Sequence, residues 1–278
     1  MGNNIFDEMF ARYSPITKEE KKNAIHEVMQ EITLAALYRG GFFDKAAFYG
    51  GTCLRIFYGM HRFSEDMDFS LLQADETFLL EKYFDAIIAE FKAVGREITI
   101  KKREKITQTN VESAFLKDKT EIYNLQFTTE SSVKIKIEVD TQPPAGFTTE
   151  HKLLMMPFSF MVRCYSLPDL YAGKIHALLF RNWKNRVKGR DWYDFEWYIR
   201  NNIHLNFLHL QQRVEQINSF EKKDFSIEYF KKLLKEKILN TDINAVKNDV
   251  RPFIKNSAEM NIWSEEYFLQ LVDMIIIK

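Results

Sequence analysis

Behind Thr17-Lys-Glu-Glu20, apolar or small residues recur at Ile25, Val28, Met29, Ile32, Ala35 and Ala36, the three- and four-residue spacing of one helix face. Thr17 with Glu20 three positions on is a capping box, so a helix is predicted from about Lys18 to Tyr38. Gly40-Gly41 stops it. Ala46 to Tyr49 is a short apolar run ending on Gly50-Gly51, the pattern of a buried strand entering a tight turn. Thr52 to Tyr58 is long enough for two helical turns before Gly59. Asp66-Met-Asp-Phe-Ser70 alternates polar and apolar and predicts a second strand. Thr77 to Val94 places Phe78, Leu79, Phe84, Ile87, Ile88 and Phe91 on one broad face, predicting an amphipathic helix over that span.

Three more strands are predicted, at Glu97 to Lys101, Ile122 to Thr128 and Val133 to Asp140. The last alternates most cleanly: Val133, Ile135, Ile137 and Val139 face one way, Lys134, Lys136, Glu138 and Asp140 the other. Pro143-Pro144 follows it. From Ser166 onward the pattern is helical, near 167–181, 191–199, 227–239 and 265–276. Phe207, Leu208, Leu210, Phe225, Tyr229, Phe230, Leu233 and Leu234 read as helix-bundle core. The expected organisation is an α/β (α+β) domain over 1–165 and a helical domain over 166–278 that completes a cleft, without internal repeats.

Composition narrows the possible partners. With 278 residues, 46% apolar and 14% aromatic, the chain has material for a real core. Lys plus Arg equals Asp plus Glu at 39 each, so no whole-molecule field draws in nucleic acid or acidic membranes. Cys53 and Cys164 stand outside any C-x-x-C spacing, against a disulfide framework or cysteine zinc site. The six histidines show no ligand spacing. The longest nearly uncharged apolar run, Leu153 to Val162, is about half of what spans a bilayer and is interrupted by Pro157. The N-terminus lacks the basic start and apolar core of a signal peptide. The expectation is a cytoplasmic protein without membrane contact.

Chemistry concentrates in Phe48-Tyr-Gly-Gly-Thr-Cys-Leu-Arg55 and Arg62-Phe-Ser-Glu-Asp-Met-Asp-Phe-Ser70. Asp66 and Asp68, two apart on a strand, share one face and repel unless a cation lies between them. Oxygen ligands favour Mg²⁺ or Mn²⁺, ions that usually bring substrate phosphates. Gly50 and Gly51 allow close backbone approach to such phosphates, and the following helix start offers free N–H groups; the same glycines also suit an ordinary turn. Lys174 lies on the stripe Leu167, Leu170, Tyr171, Lys174 and Leu178, where a lysine either snorkels or meets an anion. Between Lys174 and Arg190 stand six cations, Trp183 and no acid. That pattern suits RNA or a nucleotide base, and equally a basic connector. Asp191 and Asp194 are suited to an N-cap and to the first turn of the following helix.

Gly-Gly-Thr, thirteen intervening residues, then Asp-Met-Asp resembles the signature of polymerase-beta-like nucleotidyltransferases. Together with Gly-Lys-Ile-His-Ala-Leu and Lys-Gly-Arg-Asp-Trp-Tyr-Asp-Phe, the chain resembles the AbiEii/AbiGii toxin-type nucleotidyltransferases across residues 48 to 198. The resemblance implies a mixed sheet with flanking helices, an NTP substrate, and catalytic roles for Asp66, Asp68, Lys174 and Asp191. It implies nucleotide contacts from Gly50, Gly51, Thr52, Ser64 and Lys174, with Arg55 and Arg62 as weaker candidates. The metal ligands would be Asp66, Asp68 and a third carboxylate on the next strand, Glu138 before Asp140. It further implies a toxin of a bacterial toxin–antitoxin or abortive-infection system, with a cognate antitoxin and RNA, in some relatives the tRNA 3′ end, as acceptor. Two other activities fit the same residues: a phosphotransferase with Ser64 as acceptor, or a non-catalytic module holding GTP or another nucleotide.

Overall fold

The computed structural model describes residues 4–102, 120–128, 133–181, 187–216 and 224–277. The chain divides into two compact units. The first comprises Met1–Phe57, Glu65–Pro143 and Thr149–Cys164; the second comprises Tyr58–Ser64, Pro144–Thr148 and Tyr165–Lys278. The helical unit therefore also takes in two short segments that precede residue 165.

In the first unit the described strands are β1 (Ala46–Tyr49), β2 (Met67–Leu71), β3 (Ile98–Lys102), β4 (Thr120–Phe127), β5 (Lys134–Asp140), β6 (Thr149–Leu154) and β7 (Phe160–Tyr165). They form one mixed sheet in the order β3-β4-β5-β2-β1-β7-β6. β1 and β2 are antiparallel, and β2 runs parallel to β5. This makes the centre of the sheet, where both neighbours are strands, the seat of Asp68. One face of those strands is sealed by Phe48, Met67, Phe69, Ile135, Ile137 and Val139, all buried. Phe48 and Phe69 are register partners with ring centroids 5.0 Å apart, an aromatic pair that contributes about 0.5–1.5 kcal/mol beyond its buried area.

Helices α1 (Ile5–Ala11), α2 (Lys18–Arg39), α3 (Gly50–Phe57) and α4 (Phe84–Ala93) complete the first unit. The capping box at Thr17 and Glu20 is formed in both directions. Contrary to the amphipathic helix expected over 77–94, α-helix begins only at Phe84. Asp75 accepts hydrogen bonds from the backbone N–H and hydroxyl of Thr77 at 2.9 and 2.6 Å, a local turn that competes with helix, and a 3₁₀ turn over Leu80–Tyr83 precedes α4. β6 and β7 were not expected as strands. The run Leu153 to Val162 breaks across them, with Leu153 and Met155 more than half exposed. Cys53 and Cys164 are buried free thiols.

The second unit holds α5 (Leu167–Phe180), α6 (Gly189–Arg200), α7 (Phe207–Gln216), α8 (Ile227–Leu239), α9 (Ile243–Val250) and α10 (Glu265–Asp273). Buried carboxylates knit it. Asp169 accepts from the Thr148 N–H and hydroxyl at 2.7 Å each, Ser166 Oγ at 2.8 Å and Asn206 Nδ2 at 2.5 Å, which fastens residues 144–148 to α5 and α7. Glu196 accepts from Trp263 Nε1 at 2.9 Å and the Tyr267 hydroxyl at 2.6 Å, joining α6 to α10. A side chain at Gly189 would stand 2.9 Å from Val250 N and collide with Val246 O, so glycine permits the close approach of α6 and α9. Of the expected bundle core, Phe207, Leu210, Phe225, Phe230 and Leu234 are buried, whereas Leu208 is exposed.

Candidate active site

The sheet builds the acidic face by register. Asp68 on β2 is paired with Glu138 on β5 and with Tyr49 on β1. Paired residues share a face of the sheet, so Glu138 is the carboxylate beside Asp68. Asp140 pairs with Ser70 and accepts from the Gln142 N–H at 3.0 Å. Strand alternation then returns Lys136 to the Glu138 face. Lys136 Nζ forms an ion pair with Glu138 and lies 4.0 Å from Asp66 Oδ2. Burial works against its charge, but Glu138, then Asp66 and Asp68, hold the Lys136 ammonium above its ordinary range. No three His, Cys, Asp or Glu side chains converge as a metal cluster among the described residues. Asp66, Asp68 and Glu138 are therefore not gathered as a ready three-carboxylate site; Glu138 is engaged by the lysine.

The turn into α3 is shaped around Asp68. Gly50 has φ +82°, and a Cβ there would collide with Asp68 Oδ2 and stand 3.0 Å from its Cγ. Only glycine serves at that position, because both the left-handed backbone and the space demand it. Gly51 follows within the first turn of α3. Thr52 is buried, and its hydroxyl donates to the Asp66 backbone carbonyl. In the structure this hydroxyl thus holds the acidic segment. Arg55 is likewise occupied: Nη2 and Nε donate to Glu27 on α2 at 3.0 and 3.3 Å. Gln30 Nε2, one turn along α2, donates to the Glu65 carbonyl at 3.0 Å.

The helical unit carries a second constellation. Lys174 on α5 reaches Asp191 Oδ1 at 2.6 Å and Asp194 Oδ2 at 2.8 Å, both on α6. Arg62 grips the same Asp194 bidentately, Nε to Oδ1 at 2.5 Å and Nη2 to Oδ2 at 2.6 Å. Its remaining Nη1 donates to the Phe63 carbonyl at 3.0 Å. Arg62, Asp191 and Asp194 are buried, and the Lys174 side chain is only 14% exposed. Burial alone would push the Asp194 carboxyl up; Arg62 first, then Lys174, overcome it and hold the group below the usual carboxylate range. Two cations and two anions thus form a neutral cluster. Arg62 anchors Asp194, and Ser64, two residues on, is buried.

Asp191 is the third residue of α6, whose N-cap is Lys188, so its carboxylate serves Lys174 and not the helix end. Asp194, which first-turn stabilisation sufficed to explain in the sequence, is the hub of the cluster. Ser166 stands at the N-cap of α5, but its hydroxyl donates to Asp169 and does not cap the helix. The basic stretch is less uniform than its composition. Lys174 is turned onto two carboxylates, and the Arg190 guanidinium lies 4.2 Å over the Phe253 ring. Trp183, Lys184 and Arg186 lie outside the described residues. Lys136, Asp194 and Glu27 were absent from the expected site. Alternation on β5 is the sequence signal that could have found Lys136; no local signal joins Glu27 to Arg55.

A family model described as the nucleotidyl transferase AbiEii toxin of a type IV toxin–antitoxin system matches residues 32–270. Among solved structures, MenT4, the nucleotidyltransferase toxin Rv2826c from Mycobacterium tuberculosis H37Rv, aligns with a TM-score of 0.61 at 16% identity, covering 98% of this chain and 89% of its own. JHP933 from Helicobacter pylori aligns with a TM-score of 0.51 at 19% identity, covering 91% and 90%. At such identities these two show a shared fold. No curated protein matches the chain.

Proposed function

The chain belongs to the AbiEii nucleotidyl transferase toxin family, and from that premise we propose that it moves a nucleoside monophosphate from an NTP to a hydroxyl of RNA, the tRNA 3′ end being the acceptor to test first. The observation that carries this reading is the seating of the Asp68 carboxylate against the Cβ-free Gly50 at the start of α3. A glycine turn, helix N–H groups and a carboxylate meet there, and this is the combination a cation-bound triphosphate needs.

The donor set fits a hard divalent cation. Asp66 and Asp68 supply oxygen, and the missing Cβ of Gly50 makes room for the Asp68 carboxylate itself. A two-carboxylate site suits Mg²⁺, which normally keeps waters and substrate phosphates as its other ligands. When bound, Mg²⁺ or Mn²⁺ would supply neutralisation of the triphosphate charge. Asp66 and Asp68 would hold the ion, and Glu138 would be the third acidic group, available to the proton of the attacking hydroxyl. The N–H groups of Gly50 and Gly51 would take the phosphates, and Ser64 keeps the nucleotide-binding role that the family resemblance implies. Attack at the α-phosphorus forms the new P–O bond and breaks the bond to the β-phosphate. Lys174, oriented within its own unit by Asp191 and Asp194, takes the role of neutralising triphosphate charge that membership of the family implies. Arg62 positions Asp194, and the chain joins it to the acidic motif, four residues before Asp66. A cognate antitoxin and a cytoplasmic setting accompany this reading. Among the described residues, no helix is long and apolar enough to cross a membrane.

The test uses labelled nucleotide with RNA and protein acceptors. Label from the α-phosphate appearing in RNA, and lost in Asp66→Ala, is the expected result. Transfer of the γ-phosphate alone would replace this reading with a phosphotransferase. Binding without transfer of either label would leave a nucleotide-binding module.

A further inference from the structure

The acidic face already contains a cation of its own. On β5, Lys136 and Glu138 lie two residues apart on one side of the strand, and the parallel register sets Glu138 against Asp68. Lys136 Nζ pairs with Glu138 and stands 4.0 Å from Asp66 Oδ2. The Lys136 ammonium thus stands against Glu138 and Asp66 at once. Its side chain is 31% exposed, so the flexible four-carbon stem has water to move into. We propose that Lys136 is the resident counter-ion of this face, holding the carboxylates until a divalent cation takes Asp66 and Asp68 and displaces it. The inference rests on the metal-binding part of the proposed function and adds to it a residue that competes with the metal.

The physics gives the direction. Without Lys136, Asp66, Asp68 and Glu138 repel one another across a half-buried sheet face. A fixed positive charge there lowers that repulsion and also opposes any second cation. Lysine suits an exchangeable partner, being a point charge on a mobile stem; arginine in a bidentate grip, as at Arg62 and Asp194, does not exchange so readily. No proton moves in this exchange. The ammonium leaves the carboxylates as a cation and another cation replaces it. Release of Lys136 also frees Glu138 to act as the third acidic group.

The experiment titrates Mn²⁺ into the full-length protein without nucleotide, reading free Mn²⁺ by electron paramagnetic resonance. Lys136→Met should bind Mn²⁺ about tenfold more tightly than wild type, the effect of removing one unit charge from a partly screened site. Lys136→Arg, which keeps the charge, should stay near wild type. In EDTA, Lys136→Met should melt a few degrees below wild type, and saturating Mn²⁺ should reverse the difference. Should Lys136→Met not fold, Lys136→Gln carries the same comparison. Equal or weaker Mn²⁺ binding in the charge-removed variant overturns the proposal and leaves an ordinary cross-strand ion pair. Binding of Mn²⁺ by neither protein also overturns it, and takes the metal part of the proposed function with it.

Discussion

The acidic face of the sheet and the ion cluster of the helical unit hold charge in opposite ways. On the sheet side, Lys136 pairs with Glu138 and lies 4.0 Å from Asp66, whose side chain is 42% exposed. In the helical unit, Arg62, Lys174, Asp191 and Asp194 balance two against two, with Asp194 wholly buried. Water screens the first arrangement, so leaving it net-negative costs little and it can await a cation. The second is screened far less, and an unmatched charge there costs several kcal/mol. The expected lesson is a division of labour: under the proposed function the open acids are expendable for folding and serve the chemistry, while the buried quartet holds both the fold and its lysine.

The comparison breaks most visibly at its extremes. Asp66→Ala should reduce nucleotidyl transfer by at least about a thousandfold, since it removes charge stabilisation worth several kcal/mol. The same change should shift unfolding by less than about 0.5 kcal/mol, as expected of an exposed site. Urea unfolding beside the labelled-transfer assay reads both, and a large stability loss would erase the contrast. Asp194→Ala should do the reverse in emphasis, costing about 3–5 kcal/mol by stranding Arg62 and half of the Lys174 pairing in a buried site. Pairing Asp194→Leu with Arg62→Met removes both partners, so it should recover much of that stability in urea unfolding while transfer stays impaired.

What the sequence could show follows from the range of each interaction. The capping box and the helical spacing behind it give α2 to within a residue, and Gly50-Gly51 marks the end of β1 at Tyr49, as found. Asp66, Asp68 and Gly50 were legible because one local motif carries them all. Partners distant in the chain were not. Arg62 meets Asp194 across 132 positions, and Arg55 meets Glu27 across 28. A basic residue in sequence advertises its charge but not which carboxylate it will meet, so neither ion pair could be read there. β6 escaped for another reason. It lies at the edge of the sheet with its side chains largely open, so Thr149-Glu-His-Lys lacks the apolar alternation that betrays a half-buried strand.

Acid should find the helical unit first. Burial foremost, with Arg213 next, holds His209 at about 4 and depresses His176 well below its ordinary value. Each imidazole therefore stays neutral in the fold but gains a proton near pH 6.5 once unfolded. The unfolded chain then binds more protons, so this stability is complete above about pH 6.5 and falls as the pH drops towards 4. By pH 5 the loss from His209 alone should be on the order of 2 kcal/mol. Urea midpoints across that window measure it, with His209→Gln expected to flatten the slope. A flat wild-type profile would mean that the two histidines are hydrated and not sealed.

The smallest effect probes how the fold serves the open acids. Thr52→Val keeps the volume of a buried side chain on α3 but removes the hydroxyl that donates to the Asp66 carbonyl. One lost hydrogen bond to a shielded carbonyl should cost about 1 kcal/mol in urea unfolding. Because the segment carrying Asp66 would then be less firmly held, Mn²⁺ affinity should weaken a few-fold while KM for the NTP follows only through the metal. A threonine that lined the phosphates would behave differently: KM would rise at saturating Mn²⁺, and stability would stay unchanged. The two readouts together decide whether Thr52 belongs with the positioning residues, as Arg62 does in the other unit, or with the substrate contacts.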